Sequence, residues 1–252
     1  MKGSSATRLD QAMVERGLCA SRQQAQRAIL AGRVAVNGQI ARKASDLVRT
    51  SDRIELHGQE RYVSRGGYKL EAALHQFQIH PFGWRAIDLG AATGGFTDCL
   101  LQHGVRQVYA VDVGRGLLAW KLRQDPRVVV MEGYNARFLR PEHFPQPFDP
   151  VDLVVVDCSF ISLRLILPVA VALVRLNGTM IALVKPQFEA GRREASRGQG
   201  VIRNPAVHAR VLEELRVFAC ESLGLRWRAV MESPLRGPAG NLEFLVHLER
   251  PC

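Results

Sequence analysis

The sequence predicts an α/β protein: a doubly wound, seven-stranded sheet preceded by a small α+β module. Three observations carry this. From residue 86 onward, seven short apolar runs rich in Val, Leu and Ile alternate with helical patterns, which is how a mainly parallel sheet with covering helices reads. The first of these runs, Ala86 to Leu89, enters a glycine-rich turn that opens a helix. The first 58 residues differ in kind, with two short helical patterns, a hairpin signal and an excess of arginine.

Composition bounds the answer. A chain of 252 residues can bury one good core plus a small extra module. It is 47% hydrophobic and 23% charged, as soluble globular proteins are. The apolar run Leu165 to Val174 stops at Arg175, far short of the roughly 18 residues a spanning helix needs. The N-terminus has no apolar signal core. Five cysteines, at 19, 99, 158, 220 and 252, form no Cys-x-x-Cys pair. That pattern disfavours a disulfide framework and a zinc site. A cytoplasmic protein is expected, with no membrane and no metal among its partners. The formal charge of +10 is uneven, since residues 1–65 hold 12 Lys/Arg against 6 Asp/Glu. Such a surplus suits a polyanionic partner, nucleic acid or an anionic surface.

In the first module, Ala6 to Gly17 reads as a helix with Leu9, Ala12 and Met13 on one face and Gly17 as its stop. Ser21 with Gln24 three residues on is a capping box for a second helix ending near Leu30. Val34 and Val36 alternate before Asn37-Gly38, a strong hairpin signal, and Asp52 to Leu56 reads as a further strand. This arrangement, with Arg8-Leu9-Asp10, Ser21-Arg22, Ala31-Gly32-Arg33-Val34 and Val36-Asn37-Gly38, resembles an S4 RNA-binding domain. The resemblance implies recognition of folded RNA through shape and phosphates, with Arg8, Arg22, Arg27, Arg33 and, beyond the module, Arg65 as contacts. The polar stretch His57 to Ser64 lacks periodicity, so the boundary belongs there: 1–58 for the first domain, 59–64 for a linker, 65–252 for the second.

The second domain opens on a helix after Arg65, with Leu70, Ala73, Leu74 and Phe77 on its packed face and Lys69 bordering it. Strands are expected at Ala86–Leu89, Gln107–Val111, Val128–Met131, Val151–Val156, Thr179–Val184, Trp227–Met231 and Leu242–Leu248. Helices are expected from Phe96 to His103, from Leu163 to Val174 with a bend at Pro168, and from Pro205, capped by Asn204, to about Leu223. A polar loop, Glu189 to Arg203, is rich in Gly and Arg. Two strands in succession at the C-terminus make one of them antiparallel. Ligands of such sheets sit beyond the carboxyl ends of the strands, where Gly90, Asp112, Asp157 and Lys185 fall.

The glycine turn discriminates among ligands. A dinucleotide fingerprint needs glycine where Ala92 stands, and a phosphate loop needs lysine where Phe96 stands. The remaining Asp-x-Gly-x-x-x-Gly pattern, Asp88 to Gly94, resembles the cofactor loop of S-adenosylmethionine (SAM)-dependent methyltransferases. That resemblance assigns Asp88, Gly90, Ala91, Gly94, Gly95 and Phe96 to the cofactor. Asp112, 22 residues past Gly90, suits the ribose hydroxyls, and Asn135 the adenine edge.

The order Lys69, Asp157, Lys185, Glu243 resembles the Lys-Asp-Lys-Glu tetrad of FtsJ-type ribose 2′-O-methyltransferases. Ser64-Arg65-Gly66-Gly67-Tyr68-Lys69-Leu70, Gly94 to Asp98, Ser159-Phe160-Ile161-Ser162-Leu163, Lys185-Pro186-Gln187-Phe188-Glu189 and Gly240-Asn241-Leu242-Glu243-Phe244 are similar, more narrowly, to the TlyA family. That family joins an S4 domain to an FtsJ-type domain, and some members carry a hemolysin name. Ala92 and Cys158 depart from its usual serine and valine. The resemblance implies SAM as cofactor, ribosomal RNA or ribosomal subunits as partner, and methylation of a ribose, in better-studied members that of cytidine. Lys185 is then the base, placed by Asp157, with Lys69 stabilising the alkoxide and Glu243 positioning Lys69 or the ribose. A free lysine is a poor base at neutral pH, so burial or a neighbouring cation has to assist. The scheme calls for no metal. Three rivals remain on sequence: a base methyltransferase, with Cys158 as nucleophile in one version; a non-catalytic RNA-binding factor; and a membrane-damaging hemolysin.

Overall fold

The computed structural model describes residues 6–30, 32–58, 61–191, 194, 198 and 200–252. Ala31 of the S4-like motif, Gln59 and Glu60 of the linker, and residues 192, 193, 195–197 and 199 of the polar loop lie outside the described residues, as do residues 1–5 of the first domain. The chain divides into two compact units, Met1–Arg61 and Tyr62–Cys252. The division falls inside the expected linker, but Tyr62 is already buried in the second unit's core, and Val63 N–H donates to Asp98 Oδ2 at 2.8 Å. Tyr62 and Val63 are thus structural parts of the second unit, a role their polar neighbours conceal.

In the first unit, β1 (Thr7–Arg8) leads into α1 (Leu9–Glu15), followed by α2 (Arg22–Leu30), β2 (Val34–Val36), β3 (Gln39–Ile40), β4 (Leu47–Val48) and β5 (Ile54–Leu56). The expected helix from Ala6 starts late. Thr7 and Arg8 pair with β4, and the N–H groups of Leu9 and Asp10 donate to Asp46 and Ala44 carbonyls, so the entry to the helix is spent on a strand. Ser21 caps α2 by accepting from Gln24 N–H at 3.3 Å, while Gln24 Oε1 accepts from Ala20 N–H at 2.9 Å. Asn37 and Gly38 both have positive φ, 51° and 81°, as a tight hairpin turn requires. Leu9, Met13, Ala25, Ile29 and Val34 form the core.

The second unit begins with α3 (Gly66–Gln76), then β6 (Arg85–Leu89), α4 (Gly95–Gln102), β7 (Gln107–Asp112), α5 (Trp120–Arg123), β8 (Val128–Glu132), β9 (Val151–Val156), α6 (Leu163–Leu173), β10 (Val174–Val184), α7 (Pro186–Glu189), α8 (Pro205–Val217), β11 (Arg226–Glu232) and β12 (Phe244–Glu249). Seven strands form one sheet in the order β11-β12-β10-β9-β6-β7-β8. β12 runs antiparallel to both neighbours, and the pairs from β10 to β8 are parallel. α8 continues into a π-helical turn, Phe218–Ser222, and β10 starts earlier than its apolar run because Val174 already pairs with Val151.

Alternation along the strands divides the core. Ile87, Leu89, Val154, Val156, Ala182 and Val184 pack with α6 and α8 on one face. Ala86, Val108, Leu153, Val155, Ile181 and Leu183 pack with α3 and α4 on the other. The α6 stripe Leu163, Ile166, Leu167, Ala170 and Leu173 is buried, at the spacing of one helical face. Pro168 is tolerated inside α6 on its exposed side. Among the described residues no helix is long and apolar enough to cross a membrane.

Candidate active site

Strand order reverses at β6, which has β7 on one side and β9 on the other. A crevice opens beyond the carboxyl ends at such a point. Here Leu89 pairs with Val156, so Gly90 and Asp157 follow one step later, and Asp157 N–H donates to Leu89 carbonyl at 2.9 Å. Gly90 has φ +89°, and a Cβ there would stand 2.7 Å from the Asp157 carbonyl oxygen. Only glycine permits both that conformation and that approach. Gly94, with φ +94°, begins α4, and a Cβ there would meet Leu122 at 2.2 Å. A cleft of about 430 Å³ lies at this edge, lined by Gly90, Ala92, Val111, Asp112, Val113, Leu117, Tyr134, Asn135, Ala136, Asp157, Cys158, Ser159, Phe160, Ile161 and Ile166.

The assigned cofactor residues divide into two groups. Gly90, Asp112 and Asn135 line the cleft. Asp112 also shapes it, accepting from Ala92 N–H at 2.8 Å and Gly114 N–H at 2.7 Å, which holds Ala92 at φ 48°. Asn135 Oδ1 accepts from Arg137 N–H at 3.0 Å. Asp88, Ala91, Gly94, Gly95 and Phe96 support the turn from behind and do not line the cleft. The Phe96 side chain belongs to the core. Asp88 is 0% exposed and accepts from Thr97 N–H and Oγ1 at 2.9 and 2.7 Å; strand alternation turns both Ala86 and Asp88 toward α4. Burial pushes the Asp88 carboxyl up to about 7; the Thr97 hydrogen bonds oppose this and the Asp157 charge adds to it.

The four residues of the expected tetrad stand as two ion pairs. Lys69 Nζ donates to Glu243 Oε2 at 2.5 Å, with both residues buried at 7% and 1% exposure. Lys185 Nζ lies 2.6 Å from Asp157 Oδ1 and donates to Cys158 carbonyl at 3.1 Å and Ser159 Oγ at 2.8 Å. Val184 pairs with Phe244, so Lys185 and Glu243 are each one residue past the last paired position of adjacent strands. Lys69 comes from α3, whose first turn packs on the glycine turn: a Cβ on Gly95 would meet Gly67 N at 3.0 Å. The segment before Glu243 is fixed by Asn241, whose side chain accepts from Ile202 N–H and donates to Gly200 carbonyl. Of the four, Asp157 lines the cleft directly.

Sequence reasoning passed over several cleft residues. Tyr134 and Phe160 are the aromatic ones; Phe160 is 90% exposed at φ 63° and its ring lies 5.1 Å from that of Phe188. Tyr134 lies two residues past β8 and had position as its signal, while Phe160, four past β9, stands within the Ser159 to Leu163 motif. Cys158 lines the cleft while packing against the core, its thiol donating to Leu89 carbonyl at 3.5 Å. Burial, then the Asp157 charge, pushes that thiol up to about 12.

In the first unit, two of the expected RNA-binding arginines are committed to Asp10. Asp10, fully buried, accepts from Arg8, Arg22 and Gln26, and the Arg8 guanidinium chiefly holds its carboxyl well below the usual range. Arg27 is exposed, and Arg33 donates to Gly58 carbonyl at 3.3 Å. In the second unit Arg65 donates to Arg236 carbonyl at 2.9 Å.

Residues 62–250 match the FtsJ-like methyltransferase family and residues 7–54 the S4 domain. The 16S/23S rRNA (cytidine-2′-O)-methyltransferase TlyA of Mycobacterium tuberculosis is 45% identical over 96% of this chain and 89% of its own length. The chain belongs to the TlyA family. A second relative, hemolysin A of Brachyspira hyodysenteriae, is 40% identical over 95% of this chain and 98% of its own. A solved structure from Streptococcus thermophilus, described as a hemolysin, matches with a TM-score of 0.76 at 43% identity, covering 99% of this chain and 90% of that one. As a TlyA-family methyltransferase, this protein takes SAM as its methyl donor. The cleft fits it: a glycine wall where a Cβ would collide, a carboxylate at the end of β7, and apolar Leu117 and Ile166. When bound, the sulfonium supplies an electrophilic methyl group.

Proposed function

We propose that this protein methylates the 2′-hydroxyl of a ribose in ribosomal RNA, a cytidine ribose as in the relatives named for that product. The observation that carries the reading is the pair of lysine–carboxylate couples at the ends of adjacent strands, with Asp157 on the cleft beside Gly90. Lys185 is the general base, fixed by Asp157. Lys69, fixed by Glu243, stabilises the alkoxide that develops on the ribose. Alignment of hydroxyl and methyl supplies much of the acceleration. Phe160 and Phe188 offer an apolar ring face beside the cleft on which a base of the RNA can stack. The first unit anchors folded RNA through exposed arginines, Arg27 first among them, and an assembled ribosomal subunit offers the same phosphates.

Lys185→Ala tests this. The variant should bind SAM and RNA as the parent does and transfer no methyl group. Methylation at the parental rate would remove Lys185 from the role assigned to it.

A further inference from the structure

Lys185 is the assigned base, yet its amine does not reach the cleft. It is 7% exposed and absent from the cleft lining. All three ammonium hydrogens have acceptors in Asp157 Oδ1, Cys158 carbonyl and Ser159 Oγ. Of these acceptors Ser159 is the exposed one, and it lines the cleft. A hydroxyl is both donor and acceptor, so Ser159 can face the amine and the substrate together.

We propose that Ser159 relays the substrate proton to Lys185, an inference that rests on the ribose-methylation reading above. The relay runs from the neutral amine of Lys185, after its ammonium has lost one proton to solvent. The Ser159 hydroxyl then donates to Nζ, the reverse of the 2.8 Å hydrogen bond present in the ammonium form. As the ribose O–CH₃ bond forms and the S–CH₃ bond breaks, the 2′-hydroxyl proton passes to Ser159 Oγ. The Ser159 proton passes to Lys185 Nζ. The positive charge that leaves sulfur reappears on the ammonium, and Ser159 ends as it began. Asp157 and the Cys158 carbonyl keep the amine aimed at Ser159 throughout.

The test uses the full chain, SAM and ribosomal RNA transcribed without modification, with Ser159→Ala, Ser159→Thr and Lys185→Ala. In single-turnover transfer at saturating SAM, S159A should lose at least about tenfold in rate, and S159T should recover most of it. Solvent-isotope proton inventory should be bowed for the parent, with two protons in flight, and linear for S159A. Nitrogen-15 NMR of the ligand-free protein gives a readout apart from activity. The Lys185 ammonium hydrogens should exchange faster with water in S159A, because one of them then faces the cleft. Parental transfer by S159A, or a linear inventory in the parent, would overturn the relay. An inactive K185A beside a fully active S159A would overturn the relay alone. A fully active K185A, or a parent that puts no methyl on ribose, would instead overturn the reading beneath it.

Discussion

Asp88 has a carboxyl oxygen, Oδ1, that is buried with no hydrogen-bond partner among the described residues. A carboxyl so placed favours its neutral form. The unfolded group titrates near 3.8 and the native one at about 7. Between those values the native chain holds a proton that the unfolded chain has lost. This group's contribution to stability is therefore complete below about pH 4 and is lost as pH rises to about 7, at up to about 1.4 kcal/mol per unit. Asp88→Asn removes the titration. Urea denaturation at about pH 5 and about pH 8 should show the variant gaining about 2.6 kcal/mol on the parent across that interval; a constant gap would mean an ordinary Asp88. Cys158 is protonated at neutral pH for a related reason, so Cys158→Ser should keep methyl transfer within about threefold. A dead variant, beside a parent that forms covalent protein–RNA adducts, would restore the nucleophile reading. Strand-end positions of Gly90, Asp112 and Asp157 were legible because chain order alone sets them. The Asp10 cluster was not, since it joins residues of β1, α1 and α2 whose packing no local pattern encodes.

At the scale of elements, the turn between β6 and α4 was readable because its glycines meet a backbone need. Gly90→Ala would force a side chain toward the Asp157 carbonyl in a left-handed conformation. Calorimetry should show SAM affinity reduced by at least about tenfold, and unchanged affinity would place the cofactor elsewhere. The seven strands were legible from apolar runs and their spacing. β1 was not, because two residues carry no period and the pairing with Leu47–Val48 is nonlocal. The capping of α6 was equally hidden: Ser162 Oγ and Leu163 N–H donate to Glu189 at 2.6 and 2.7 Å. That bridge ties the segment after Lys185 to the segment after Asp157, so the two strand ends that carry the site are braced against each other.

Over the whole molecule, a net charge of +10 draws the protein to RNA without selecting a nucleotide. Among the five arginines expected to meet RNA, Arg27 and Arg33 are those of the first unit not committed to Asp10. Arg27→Ala with Arg33→Ala should weaken binding to any ribosomal RNA fragment about equally. It should also lower the slope of log affinity against log salt by about 1 for each phosphate the variant no longer reaches. An unchanged slope would move RNA binding off this unit. The most direct measurement of the central claim is nucleoside analysis of ribosomal RNA incubated with labelled SAM and this protein. The expected product carries the label on the ribose as a 2′-O-methyl nucleoside, and Lys185→Ala yields none of it. Label found on a base, or a ribose product formed equally well by the variant, would contradict the account.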